Sequence, residues 1–152
     1  TLVNNGLIVI TVGGGGVPVI KDLHGLHGVD AVIDKDRSSA LLAKELNADI
    51  LMILTAVNQV AINFGQPNQQ GLSSLTTIEA KQYLEDGQFG IGSMMPKVEA
   101  CMDFVNHHPS GTAVITSLEL AGQALEPGVG TKIVSEKRQL QEIEQEDVYA
   151  VQ

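Results

Sequence analysis

Tryptophan is absent, and two Tyr and three Phe are the whole aromatic complement of 152 residues. The core must therefore be built from Val, Ile, Leu, Met and Ala, and bases cannot be read by stacking on aromatic platforms. Cysteine occurs once, at Cys101, which excludes an internal disulfide framework and suits a reducing, cytoplasmic setting. Basic residues are scarce: nine Lys and Arg face eighteen Asp and Glu, for a net charge of −9. A phosphate backbone would be repelled, so nucleic acid is not an expected partner. A mononucleotide differs, because a few local lysines and backbone N–H groups can hold it within an acidic chain. No apolar run approaches the ~18–20 residues of a membrane span, and no export signal is visible.

What is present is an alternation of apolar runs and amphipathic stretches. Leu7–Val12 reads as a buried strand stopped by Gly13-Gly14-Gly15-Gly16. Opening on a strand at Thr1, without Met, suggests a piece of something longer. A helix is expected over Ser38–Leu46, ending at Asn47, which tolerates the left-handed cap conformation. Asp49–Leu54 reads as a strand buried on both faces, and Val57–Phe64 as a small hairpin. Thr76 with Glu79 forms a capping box for a helix stopping at Gly87. Pro96 suits the first turn of the next helix, whose Val98, Cys101, Met102 and Val105 recur at helical spacing. Strands over Thr112–Thr116 and Thr131–Val134 flank a helix over Leu118–Leu125. The expectation is a three-layer α/β/α sandwich with a mostly parallel central sheet over residues 1–134. Residues 135–152, with five acids against two bases, read as a polar acidic tail.

In such a sheet, ligands collect beyond the carboxyl ends of the strands. Gly13, Gly14, Gly15 and Gly16 stand there, as a tight turn or as an anion cradle of backbone N–H groups. Neither the P-loop nor the dinucleotide pattern is satisfied. Asp34-Lys35-Asp36 opens a helix: Asp36 serves as N-cap, or Lys35 sits beside a phosphate that a carboxylate helps it meet. Lys97, in the first turn of a helix, has the wrong sign for the helix dipole unless a phosphate is bound there. Met94 and Met95 pack in the core or against a flat base. The turn Leu54-Thr55-Ala56-Val57-Asn58 offers a hydroxyl and free backbone groups. His24, His27, His107 and His108 lack partners at metal-ligand spacing, so no metal site is assigned to protein side chains. Cys101 lies on an apolar helix face and reads as an inert thiol.

These stretches, read in order, resemble the carbamate kinase branch of the amino acid kinase family. They are Ile8–Ile20 (IVITVGGGGVPVI), Ala31–Ala40 (AVIDKDRSSA), Ile53–Gln69 (ILTAVNQVAINFGQPNQ), Gly92–Ala100 (GSMMPKVEA), Ala113–Leu118 (AVITSL) and Gly130–Val134 (GTKIV). The resemblance implies the nucleotide-holding C-terminal lobe of an enzyme that transfers a phosphoryl group reversibly between carbamoyl phosphate and ADP. It implies that Lys35 and Lys97 neutralise charge on that group and that Asp36 holds them. Thr55, Ala56, Val57, Met94 and Pro96 would line the nucleotide site, with Gly13–Gly16 approaching the phosphates. The substrates would be ATP or ADP, with Mg²⁺ held by the nucleotide phosphates, and carbamoyl phosphate. The setting implied is cytoplasmic arginine or other carbamoyl catabolism.

Two departures stand out. Ala56 occupies a position where many relatives carry Asp. The family's N-terminal lobe, with its glycine motifs and a further lysine, has no counterpart here, so this chain alone is expected to bind nucleotide weakly and to turn over negligibly. A face left open between lobes would dimerise or aggregate. Two other readings stay open: a non-catalytic nucleotide-binding or interaction module, and an amino acid kinase with another acceptor.

Overall fold

A computed structural model describes residues 2–140. The central sheet has four strands in the order β3-β7-β8-β6. These are β3 (Ile50–Thr55), β6 (Ser74–Thr76), β7 (Thr112–Ser117) and β8 (Thr131–Val134). β3 pairs parallel with β7, and β6 parallel with β8, while β7 and β8 run antiparallel. Two two-stranded ribbons stand apart: β1 (Val19–Asp22) with β2 (Gly25–Gly28), and β4 (Val60–Ile62) with β5 (Gln70–Leu72).

Helices α1 (Lys35–Glu45), α2 (Thr77–Glu85) and α3 (Met94–His107) cover one face of the sheet. Every second residue of β3 and β7 points at them. Leu51, Ile53, Ala113 and Ile115 meet Ala40 and Ala43 of α1 and Val98, Cys101, Phe104 and Val105 of α3 in one core. Burying that aliphatic surface supplies the main driving force, at roughly 25 cal/mol per Å² of apolar area. The result is the expected α/β sandwich with a mainly parallel sheet. α2 opens on the predicted capping box, with the Thr76 hydroxyl accepting from the Glu79 N–H and the Glu79 carboxylate from the Thr76 N–H. It closes before Gly87, whose φ of 69° is left-handed. Asn47 takes the same conformation, φ 48°, after α1.

Six expectations need correction. Leu7–Val12 is not a strand: none of the described strands pairs with it, and Ile8 and Ile10 are 98% and 100% exposed. Apolar, β-branched composition favours extended backbone but supplies no partner edge, and Val12 at φ 53° bends the run off course. β3 is buried on its helix-facing side only, since Ile50 and Leu54 on the other side are about 40% exposed. β4 finds its partner in β5, beyond Phe64, rather than within Val57–Phe64. The segment after β7 is a 3-10 helix over Leu118–Gln123, and α1 starts three residues earlier than expected. Finally, the N-cap of α1 is Asp34, whose side chain accepts from the N–H groups of Asp36 and Arg37 at 2.9 Å each. The acidic tail falls mostly on residues 141–152, outside the described residues.

Candidate functional site

α1 and α3 lie side by side, and their N-termini both carry cations toward the carboxyl ends of β3 and β7. Asp36, freed from capping by Asp34, turns into the space between the two helices and is buried. Lys97 Nζ donates to Asp36 Oδ2 at 2.8 Å, and Lys35 Nζ lies 3.7 Å from the same oxygen. Two ammonium groups from positions 62 residues apart thus share one carboxylate oxygen, on the helix-covered side of the sheet. Their environments differ: Lys97 keeps 12% of its side chain exposed, Lys35 68%. Lys97 is nearly buried and hydrogen-bonded, whereas most of the Lys35 side chain lies in solvent. Cys101, one helical turn beyond Lys97, is fully buried. Burial pushes its thiol far above the ordinary value, the Asp36 charge adds to the rise, and Lys97 works against it. It is an inert core group.

Beside this cluster opens a cleft of about 330 Å³, within the ~300–1,000 Å³ typical of small-molecule sites. Thr55, Ala56, Val57, Met94 and Lys97 line it. Pro96 does not; it shapes the first turn of α3. Gly13, Gly15 and Gly16 line a separate shallow hollow with Ile33 and Ser38 at the start of α1. Gly14 packs so that an added Cβ would lie 3.2 Å from the Ile33 carbonyl. The glycine run therefore reaches the helix that carries Lys35 and Asp36 but not the cleft itself.

Sequence reasoning missed the opposite wall, made by Phe64, Gln88, Phe89, Gly90 and Ser93. Phe89 is buried and meets Tyr83 edge-on, ring centres 6.3 Å apart. Gln88 holds the Asn63 N–H at 2.9 Å, tying that wall to the β4–β5 ribbon. A signal was available, because Gln88-Phe89-Gly90 sets one of only three phenylalanines beside a glycine just ahead of α3. Gln59 anchors the floor through the carbonyls of Gly128 and Gly130. None of His24, His27, His107 and His108 lines the cleft. Among the described residues, no group of three or more His, Cys, Asp or Glu is placed to hold a metal ion.

Fold and cleft together define an α/β sandwich that would take a ligand at the carboxyl edge of its sheet, next to a carboxylate-pinned lysine pair. The chain belongs to the amino acid kinase family, whose sequence model matches residues 1–117. Its similarity within that family is to carbamate kinases. It is 53% identical over 133 residues to carbamate kinase of Staphylococcus haemolyticus, a match covering 88% of this chain and 43% of that protein. It is 51% identical to carbamate kinase of Clostridium perfringens over 134 residues, with the same shares covered. Among solved structures, carbamate kinase of Giardia lamblia bound to AMP-PNP superposes with a TM-score of 0.81 at 41% identity, over 89% of this chain and 42% of that one. The chain thus spans less than half the length of the relatives it matches.

Proposed function

We propose that this chain is the nucleotide-binding part of a carbamate kinase-type phosphotransferase, acting between carbamoyl phosphate and ADP in cytoplasmic carbamoyl catabolism. The observation that carries the reading is the shared contact of Lys97 and Lys35 with one oxygen of Asp36 at the mouth of the cleft. In-line phosphoryl transfer needs little covalent chemistry from the protein. It needs the reactants positioned and the charge on the transferred oxygens neutralised. Asp36 orients both ammonium groups. Lys97, held nearly dry, keeps its charge close to where the β-phosphate would end, and Lys35 has the freedom to follow the moving phosphoryl group. The base would lie between Met94, Phe89 and the Thr55–Val57 turn.

Ala56 leaves the sugar without a carboxylate partner from that turn. Mg²⁺ fits this site on the nucleotide's own phosphates, since the carboxylate beside the cleft is already engaged by two lysines. The carbamoyl side would be held by the part of the relatives that this chain does not match, and self-association through open apolar surface is part of the same reading.

Titration of the ¹⁵N-labelled chain with ADP tests it. Weak binding is expected, on the order of 0.1–1 mM or roughly −4 to −5.5 kcal/mol, with amide shifts concentrated at Thr55, Ala56, Val57 and Gly90. Lys97→Ala should weaken ADP binding while sparing adenosine. An ADP titration that leaves those amides unmoved overturns the reading. ATP formation by this chain at the rate of a complete carbamate kinase would overturn the claim that the acceptor side lies elsewhere.

A further inference from the structure

Hydroxyl groups are the recurring buried polar feature of this sheet, and nearly all are satisfied. Thr116 donates to the Asn58 carbonyl and Thr131 to that of Leu72. Thr76 and Thr77 bond Glu79 and Glu136, and Ser135 bonds the Pro109 carbonyl. Ser117 Oγ is the exception: among the described residues it is the buried side-chain polar atom without a partner, in a residue 1% exposed. A buried hydroxyl left unpaired loses its hydration without compensation, and such groups point to a water or ligand that completes them.

The place of the orphan is informative. Ser117 ends β7 at its carboxyl edge and pairs in register with Thr55, the first residue of the cleft-lining turn. Strand alternation puts its side chain on the same face as Ala113 and Ile115, the face that α3 covers. The hydroxyl therefore sits at the carboxyl edge of the sheet, one strand over from cleft-lining Thr55, while Ser117 itself does not line the cleft. The Ile53–Thr55 end of β3 and the Thr116–Asn58 bond hold the turn above it in place.

Resting on the nucleotide reading above, we infer that Ser117 is a positioning residue for the nucleoside. Its hydroxyl hydrogen-bonds the base or sugar of an adenine nucleotide through one enclosed water, from beside Thr55. The phosphate end is already marked by Lys35 and Lys97. Ser117 is neutral and lies along the sheet edge from Thr55, so it serves the uncharged half of the ligand. An unpaired hydroxyl in the free protein that gains its partner on binding contributes to affinity without having contributed to stability.

The test compares wild type with Ser117→Ala in the same chain, titrated with ADP, adenosine and inorganic pyrophosphate, alongside thermal unfolding of the free proteins. The expected result is a five- to tenfold weaker affinity for both ADP and adenosine, unchanged pyrophosphate binding, and an unfolding temperature that is equal or higher. Equal ADP affinity in the two proteins overturns the role of Ser117 and leaves the nucleotide reading standing. A lowered unfolding temperature with unchanged affinity assigns Ser117 to structure alone and also overturns it. Equal weakening of pyrophosphate moves the contact to the phosphates, against the inference. Wild type that binds none of the three ligands removes the nucleotide reading, and this inference with it.

Discussion

Asp36 occupies the second position of α1, where a carboxylate is already favoured by the helix dipole, yet it is Lys97 from another helix that fixes it. From the sequence, Asp36 reads as the N-cap of a helix beginning at Ser38, whereas the helix begins at Lys35 and Asp34 caps it. With Asp34 on the cap, Asp36 is left to pair with Lys97. The Lys97 anomaly, a cation in a helix's first turn, was legible from local sequence; its partner Asp36, 61 positions away, was implied only by the family resemblance. The Asp36–Lys97 pair is nearly buried on both sides, with 8% and 12% exposed. Removing one member strands the other. Lys97→Met is expected to cost about 3 kcal/mol in urea unfolding, the low end for breaking a buried pair because Lys35 remains nearby. The double variant Lys97→Met with Asp36→Leu should recover at least half of that loss, while neither variant binds ADP detectably. A single variant as stable as wild type would show that the carboxylate is solvated by other means.

At the scale of elements, α2 shows what local signals can and cannot announce. Its capping box follows from Thr76 and Glu79, three residues apart, and could be read directly. Its second anchor could not, because Glu136 arrives from beyond β8. Its carboxylate accepts from the Ile78 N–H at 2.7 Å and from the Thr77 hydroxyl at 2.9 Å. Partial burial works to raise the Glu136 pKa, but hydrogen bonds from its own N–H, the Ile78 N–H and the Thr77 hydroxyl outweigh it and hold the group below the ordinary value. A carboxyl depressed in this way stabilises the fold above its unfolded pKa and loses that contribution as pH falls through the folded one. Glu136→Gln is therefore expected to cost roughly 0.5–1 kcal/mol near neutrality, the scale of a helix cap, or about 2–4 °C in unfolding temperature. The difference from wild type should shrink as the pH drops below the ordinary glutamate value of ~4.3. A difference that stays constant from pH 7 to pH 3 would assign the effect to packing. The ribbon of β4 and β5 was legible only in half: Val60–Ile62 shows strand composition, but Gln70–Leu72, with a glycine at its centre, does not, and long-range pairing alone makes it a strand.

For the whole molecule, the layered order was readable from alternating apolar runs, and so was the gathering of Thr55, Met94 and Lys97 at the carboxyl edge. Which apolar runs would find partners was not. Periodicity reports what a segment can bury, and burial depends on what stands opposite. Leu7–Val12 and β3 make the point together. Among the described residues, β3 lies at one end of the sheet order with no strand on its outer edge, and Ile50 and Leu54 leave its second face half open. Leu7–Val12 is an apolar, strand-prone run of the same six-residue length with no strand beside it among the described residues, and Val32 is likewise 90% exposed. An open sheet edge and an exposed strand-prone segment in one chain are complementary, and they invite pairing between copies. The net charge of −9 opposes close approach, but screening over ~8 Å at physiological salt weakens that opposition. The chain is therefore expected to self-associate in sedimentation velocity at micromolar concentration, more strongly as salt is raised. Ile8→Lys with Ile10→Lys should disperse it without lowering the unfolding temperature, because both side chains are fully exposed. A wild-type chain that sediments as a monomer across this range would show that the free edge is protected by its own twist and charge rather than waiting for a partner.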